Sequence, residues 1–365
     1  MADLDTSARP ALGKGRSLGL DVLRVAATVL VLLSHFGVFS AVHWQVPHAD
    51  LLFIAGPLGL AGFFVLSGFL IGNMLLNIVE RGPSFREWKI FTTRRLLRVM
   101  PTYILWLVLL SMLASTQQLS LSRFVHYLTL TQSFAWPMPS DNWFGVSWSL
   151  AIEVWFYLLF GALSLVAAAV WGYRALLAVL AAFLLLPLIA RACMPVALPW
   201  DAWVRKITVL RLDAIATGVA VAVAMRRAEW MDRHHLKLAF SGVVCLLGIV
   251  VWWVLDVGRF ELQTRAARTL IFNGLQLGVA LLIPALLRLQ CESSFVRHIW
   301  AWLSDATYAI YLVHLNFLLW ALILVDRGMF PFAVGMTLAF AVTIIWAALS
   351  LHFIERPIRR YRLGL

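Results

Sequence analysis

Long apolar stretches, each bounded by charges, Pro or Gly, recur ten times along the chain. They lie at about 18–40, 51–79, 98–115, 146–170, 173–190, 208–225, 238–255, 267–287, 302–325 and 331–354. A bilayer core roughly 30 Å thick is crossed by about 20 apolar residues in helical form, and the runs have that length. The pattern predicts an all-α fold, a polytopic membrane bundle of about ten transmembrane helices spanning 18–354, with short tails at 1–17 and 355–365. The first run follows Arg9, Lys14 and Arg16 and has no small-residue cleavage site, so it reads as an uncleaved span rather than a signal peptide. No fixed-period repeat and no appended soluble domain is expected.

Composition supports this reading: 62% of the 365 residues are hydrophobic and only 13% are charged, which excludes an ordinary soluble domain. Cys193, Cys245 and Cys291 are far apart and lack metal-ligand spacing, so neither a disulfide framework nor a metal site is expected. In a soluble chain a net charge of +12 would point to nucleic acid, but here it sorts by topology and no nucleic-acid partner is expected. With the amino terminus inside, twenty Lys and Arg side chains fall in cytoplasmic segments and seven in outer ones (Arg123, Arg191, Arg205, Lys206, Arg259, Arg265 and Arg327). The positive-inside rule then puts both termini in the cytoplasm. The longest outer loop, about 116–145, ends in "WPMPSDNWF" and could shape a binding surface.

Ionisable residues inside the runs need a reason, because hydrocarbon penalises each by a few kcal/mol. The first run, "GLDVLRVAATVLVLLSHF", carries Asp21, Arg24 and His35. Eleven residues of α-helix turn through about 1100°, three turns plus about 20°, so Arg24 and His35 share a face roughly 16 Å apart along the axis. The bland alternative is that Arg24 snorkels to headgroups and His35 is an ordinary bundle residue. The 29-residue second run contains five glycines, including the pair Gly68 and Gly72, suited to close helix packing. At about 43 Å it is too long to cross straight, so it is tilted, broken near Pro57 or extended into the cytoplasm.

"FTTRRLLRVMPTY" places Arg94, Arg95 and Arg98 on the cytoplasmic side before Pro101, which suits a helix start. Arg95 and Arg98 share a face. They are either positive-inside anchors or a guanidinium fork for phosphate. "SWSLAIEVWFYLLF" puts Glu153 about 10 Å below the outer edge, at a depth similar to His35, where a His would be a suitable partner for a buried carboxylate. "YAIYLVHL" brings Tyr308, Tyr311 and His314 near mid-bilayer, where His314 is as readily a hydrogen-bonded bundle residue as a catalytic one.

Taken together and in order, Arg24 with His35, "GFFVLSGFLIG", "RRLLRVMPTY", "SWSLAIEVWFYL", "YAIYLVHL" and "FIERPIRR" resemble the acyltransferase 3 family of integral membrane O-acyltransferases, over nearly the whole chain. The resemblance implies a multi-pass protein of the bacterial cytoplasmic membrane that moves an acyl group, acetyl by default, from acyl-CoA to a hydroxyl of a glycan, lipid-linked saccharide or secondary metabolite. It implies no permanently bound cofactor, with acyl-CoA as co-substrate. The catalytic residue falls on His35, and Arg24, Arg95 and Arg98 meet the acyl-CoA; beside the resemblance, Glu153 is the expected orienting partner of His35 if it is near enough. Ser67, Trp148, Ser149, Tyr311 and His314 are supporting or substrate-binding. Many members follow the Glu with another acid and a Gln, whereas this chain has Val154 and Trp155. Either direct transfer with His35 as base or an acyl-histidine intermediate fits. A transporter or flippase with a buried Arg, His and Glu relay is the alternative, and it would predict inverted repeats that the hydropathy pattern lacks.

The charge count makes the topology testable. Reporter fusions after Arg86 and after Arg360 should both read cytoplasmic, and one at Ser140 should read outside; a cytoplasmic Ser140 would overturn the helix count.

Overall fold

The computed structural model describes residues 16–113, 120–134, 144–258 and 261–363. Residues 1–15 of the amino-terminal tail and all but Phe144 of "WPMPSDNWF" lie outside the described residues. All ten expected spans are present as helices long and apolar enough to cross a membrane: Leu18–His43, Ala49–Arg81, Phe85–Leu113, Ser147–Trp171, Tyr173–Cys193, Thr208–Arg227, His235–Asp256, Arg265–Leu287, Ser294–Asp326 and Phe332–Tyr361. The fourth and fifth spans are split by Gly172 alone, at φ +73°, a left-handed conformation that glycine adopts without a Cβ clash. Val257–Gly258 pairs antiparallel with Glu261–Leu262, the only strand pairing among the described residues.

Three expectations are corrected. The third span begins at Phe85, not near 98, so Arg94, Arg95 and Arg98 lie on its turns and Pro101 sits inside the helix rather than at its start. There Pro101 has no N–H for the preceding turn. The first span is not α-helical throughout: Leu33–Gly37, with His35 at its centre, forms a π-turn that interrupts the 3.6-residue phasing. Arg191, counted as an outer-loop cation, lies in the fifth span and is fully buried. It donates to Asp213 Oδ2 at 2.6 Å and Asn273 Oδ1 at 2.7 Å, tying the fifth, sixth and eighth spans together.

The second span is the axis of the bundle, with 78% of its apolar window buried against 11% for the seventh. It opens as a 3-10 segment, Ala49–Ile54, and continues as helix Ala55–Arg81 with Pro57 in the first turn. Its glycines permit this central position. A Cβ at Gly68 would stand 1.9 Å from the Ile215 carbonyl oxygen, and one at Gly218 would stand 2.1 Å from the Val65 carbonyl, so the second and sixth spans touch backbone to backbone. Gly59 approaches the first span in the same way, 2.5 Å from Ala27 O by the same measure.

Gly68→Ala should therefore destabilise the bundle by about 1–3 kcal/mol, as overpacking against rigid backbone does. Gly248→Ala, with nothing within 4 Å of the added carbon, is the control. Thermal unfolding in detergent should separate the two, and equal midpoints would show that the second and sixth spans are not in backbone contact.

Candidate active site

The first, second, third, fourth and ninth spans line a cavity of about 60 Å³, room for about two waters at about 30 Å³ each. One wall is cationic. Arg24 Nη1 donates to Ser304 Oγ of the ninth span at 2.8 Å and lies 3.7 Å from Asp21 Oδ1. Asp21, however, is already gripped by Arg16, whose Nε and Nη2 donate to its two oxygens at 2.6 and 2.9 Å. Arg98 lines the same cavity and has no hydrogen bond or ion pair among the described residues. The charges of Arg24 and Arg98 act on one another repulsively, and Glu355, from a π-turn at Leu351–Glu355, is the carboxylate whose charge reaches Arg98.

Arg95 does not join this wall. Its Nη2 lies 2.8 Å from Met74 Sδ and its guanidinium 5.7 Å from the Tyr157 ring centre, away from the cavity. Arg24 and Arg98, one guanidinium from each of two helices, are the arginines that line the cavity. Phe63 and Phe64 form part of the apolar lining.

Glu153 lies in the cavity wall beside Ser67. Its Oε1 accepts from Ser67 Oγ at 2.7 Å and from the Tyr157 hydroxyl one helical turn away. It is not hydrogen-bonded to His35, so the expected pairing is absent and Ser67 takes that place. The far end is closed by two hydroxyls: Ser149 Oγ donates to Val146 O at 3.0 Å, and Tyr311 OH lies 2.5 Å from Ser149 Oγ.

Behind Tyr311 stand the two histidines, which do not line the cavity. His35 Nδ1 lies 3.0 Å from Val31 O and 3.1 Å from His314 Nε2, and His314 Nδ1 lies 2.8 Å from Tyr311 O. The rings are 5.0 Å apart between centres. Despite the π-turn, Arg24 and His35 both meet the ninth span, at Ser304 and His314. Their common face is defined by that neighbour rather than by ideal helical phasing.

In sequence, Arg205 is only an outer-loop cation. Its guanidinium sits 5.1 Å from the Trp148 ring centre, 5.2 Å from Phe53 and 5.8 Å from Trp200. Trp148 is thus part of an aromatic cage and not of the cavity wall. Burial raises the Asp201 carboxyl, but Arg205 and Lys206 outweigh it and hold the group below the usual carboxylate range, so Asp201 remains their counter-ion. The charges of Arg205 and Lys206 also reach His35. No sequence signal marks this cage, whose rings come from three separate stretches of chain. Among the described residues no cluster of His, Cys, Asp and Glu could hold a metal ion.

A family model described as an acyltransferase domain matches residues 17–352. The chain belongs to the acyltransferase 3 family. It is 27% identical over 375 residues to YrhL of Bacillus subtilis (strain 168), a provisionally named peptidoglycan O-acetyltransferase. It is 26% identical over 370 residues to the peptidoglycan O-acetyltransferase OatA of Listeria monocytogenes. Each alignment covers 93% of this chain, and the chain spans about half the length of these relatives, 54% and 55%. An uncharacterized Haemophilus influenzae protein is 36% identical over 114 residues, covering 27% of this chain and 45% of that protein. No solved structure matches the chain.

The geometry separates two arginines that sequence treats alike. Arg98→Lys keeps the charge but loses the planar fork, and it should weaken binding of acyl-CoA about tenfold. Arg95→Lys, which keeps the charge at a position outside the cavity lining, should leave binding within about twofold. Titration of the purified protein with acetyl-CoA measures both; equal losses, or none, would remove the donor role from Arg98.

Proposed function

We propose that this protein is a membrane O-acyltransferase that moves an acetyl group from acetyl-CoA to a hydroxyl of a cell-surface glycan. The observation that carries this reading is the pair of guanidinium groups, Arg24 and Arg98, facing one small cavity without a carboxylate bonded to Arg98. Two like charges in a low-dielectric setting repel, and a phosphate between them turns that repulsion into attraction on both sides. Apolar walls at Phe63 and Phe64 favour a short acyl group over a long one. The names of the two longer relatives make peptidoglycan the first acceptor to test.

In this reading the donor enters from the side of Arg24 and Arg98, the cytoplasmic side by the charge count, and its thioester passes toward Tyr311. The Tyr311–Ser149 hydroxyl contact lies between the cavity and the histidines, so transfer requires Tyr311 to move from Ser149. His35 takes the proton from the acceptor hydroxyl as its oxygen bonds to the thioester carbonyl carbon. The carbon–sulfur bond then breaks, and the proton passes from His35 to the departing thiolate. Glu153, bonded to Ser67 and Tyr157, shapes the donor cavity rather than orienting His35.

His35→Ala removes the proton acceptor and should lower transfer of labelled acetyl from acetyl-CoA by about two or more orders of magnitude, while acetyl-CoA binding survives. Glu153→Gln keeps an acceptor oxygen for Ser67 and should be impaired less. Full transfer activity in well-expressed His35→Ala protein would sink this mechanism, and failure of the wild type to bind acetyl-CoA at all would favour transport.

A further inference from the structure

We infer that His314 is a positioning residue, which holds the His35 ring in the tautomer whose Nε2 carries a free lone pair. The inference rests on the reading of His35 as the base, and two backbone carbonyls carry it. A carbonyl oxygen only accepts, so a ring nitrogen at hydrogen-bond distance from one carries the proton. His314 Nδ1, 2.8 Å from Tyr311 O, is therefore N–H, which in a neutral ring leaves Nε2 bare. His35 Nδ1, 3.0 Å from Val31 O, is N–H as well, and the same proton points within reach of the bare His314 Nε2 at 3.1 Å. Reversing either tautomer would set a nitrogen lone pair against a carbonyl oxygen.

The consequence is asymmetric. Both nitrogens of His314 are engaged and its ring is fully buried. His35 keeps Nε2 unbonded among the described residues and is only half-buried, so of the two rings His35 alone has a nitrogen to offer a substrate hydroxyl. In hydrolases with a Ser-His-Asp triad, a buried carboxylate orients the base through Nδ1–H. Here no carboxylate reaches either ring. The groups facing His35 are Val31 O from its own span, His314 from the ninth span, and the cations Arg205 and Lys206 from the segment after the fifth. A neutral imidazole thus occupies the carboxylate's place.

What His314 supplies is a hydrogen-bond acceptor, so the test compares variants that keep one with variants that do not. His314→Gln can offer its amide oxygen to His35 Nδ1 and should keep kcat for acetyl transfer within about fivefold of wild type. His314→Leu leaves only Val31 O to hold the ring and should lower kcat by more than about tenfold, with KM for acetyl-CoA within about twofold, because the donor cavity is untouched. If the leucine variant does not yield monodisperse protein, His314→Ala is the second acceptor-free variant. Wild-type kcat in the acceptor-free variant, or equal loss in Gln and acceptor-free variants, would overturn the positioning role. His35→Ala run in the same assay keeps the two ideas apart: an active His35→Ala refutes the base itself, whereas an inactive one beside an unimpaired His314 variant refutes only the positioning.

Discussion

Arg24 and Arg98 line one small cavity inside an apolar bundle, each acting on the other as a like charge, and only Arg24 has hydrogen-bond support in Ser304. A low-dielectric interior makes such an arrangement costly unless an anion completes it. The same bundle shows what a purely structural solution looks like. Arg191 is more deeply buried than Arg24 or Arg98, but Asp213, Asn273 and the Leu210 and Thr269 carbonyls satisfy it on every side. The network at Arg191 is closed, whereas Arg98 has no hydrogen bond among the described residues, and that contrast is what supports the proposed donor site.

Close packing makes this possible. The second span presents Gly68 to Ile215 and Gly59 to Ala27, so two neighbouring helices approach it within backbone contact. This frees its other face, with Phe63, Phe64 and Ser67, to line the cavity. Larger residues at the glycines would push the sixth and first spans outward, and Arg24 would move with the first. Stability of the bundle and alignment of the cavity wall therefore rest on the same absent side chains.

Among the described residues three π-turns stand out: Leu33–Gly37 and Leu351–Glu355 interrupt the first and tenth spans, and Asp201–Arg205 lies in the segment after the fifth. Each carries an ionisable residue near the site: His35, the caged Arg205 and Glu355 beside Arg98. A π-turn inserts a residue and rotates the next turns of helix, so a side chain that regular phasing would aim elsewhere is turned toward the interior. Such turns carry a conformational cost that the surrounding packing must cover, which is consistent with their position at the contacts between spans.

The amino-acid sequence by itself determined the ten spans and, apart from the start of the third and the end of the fifth, their approximate limits and the ionisable residues inside them, because length and hydropathy are local properties of a stretch of chain. It also placed Gly68 at a packing surface and Arg24 with His35 on one face of the first run, while the ninth span as their shared neighbour came from the tertiary structure. Tertiary structure decided the partners. Arg95 and Arg98 are three residues apart on one helix, yet only Arg98 meets the cavity, since Met74 and Tyr157 cover the other. Glu153 and His35 matched in depth, but the second span brought Ser67 to the carboxylate and the ninth brought His314 to the imidazole. Pairing across helices depends on which spans stand side by side and how each is rotated, and a π-turn at His35 or a proline inside the third span alters that rotation without changing the hydropathy from which the spans are read.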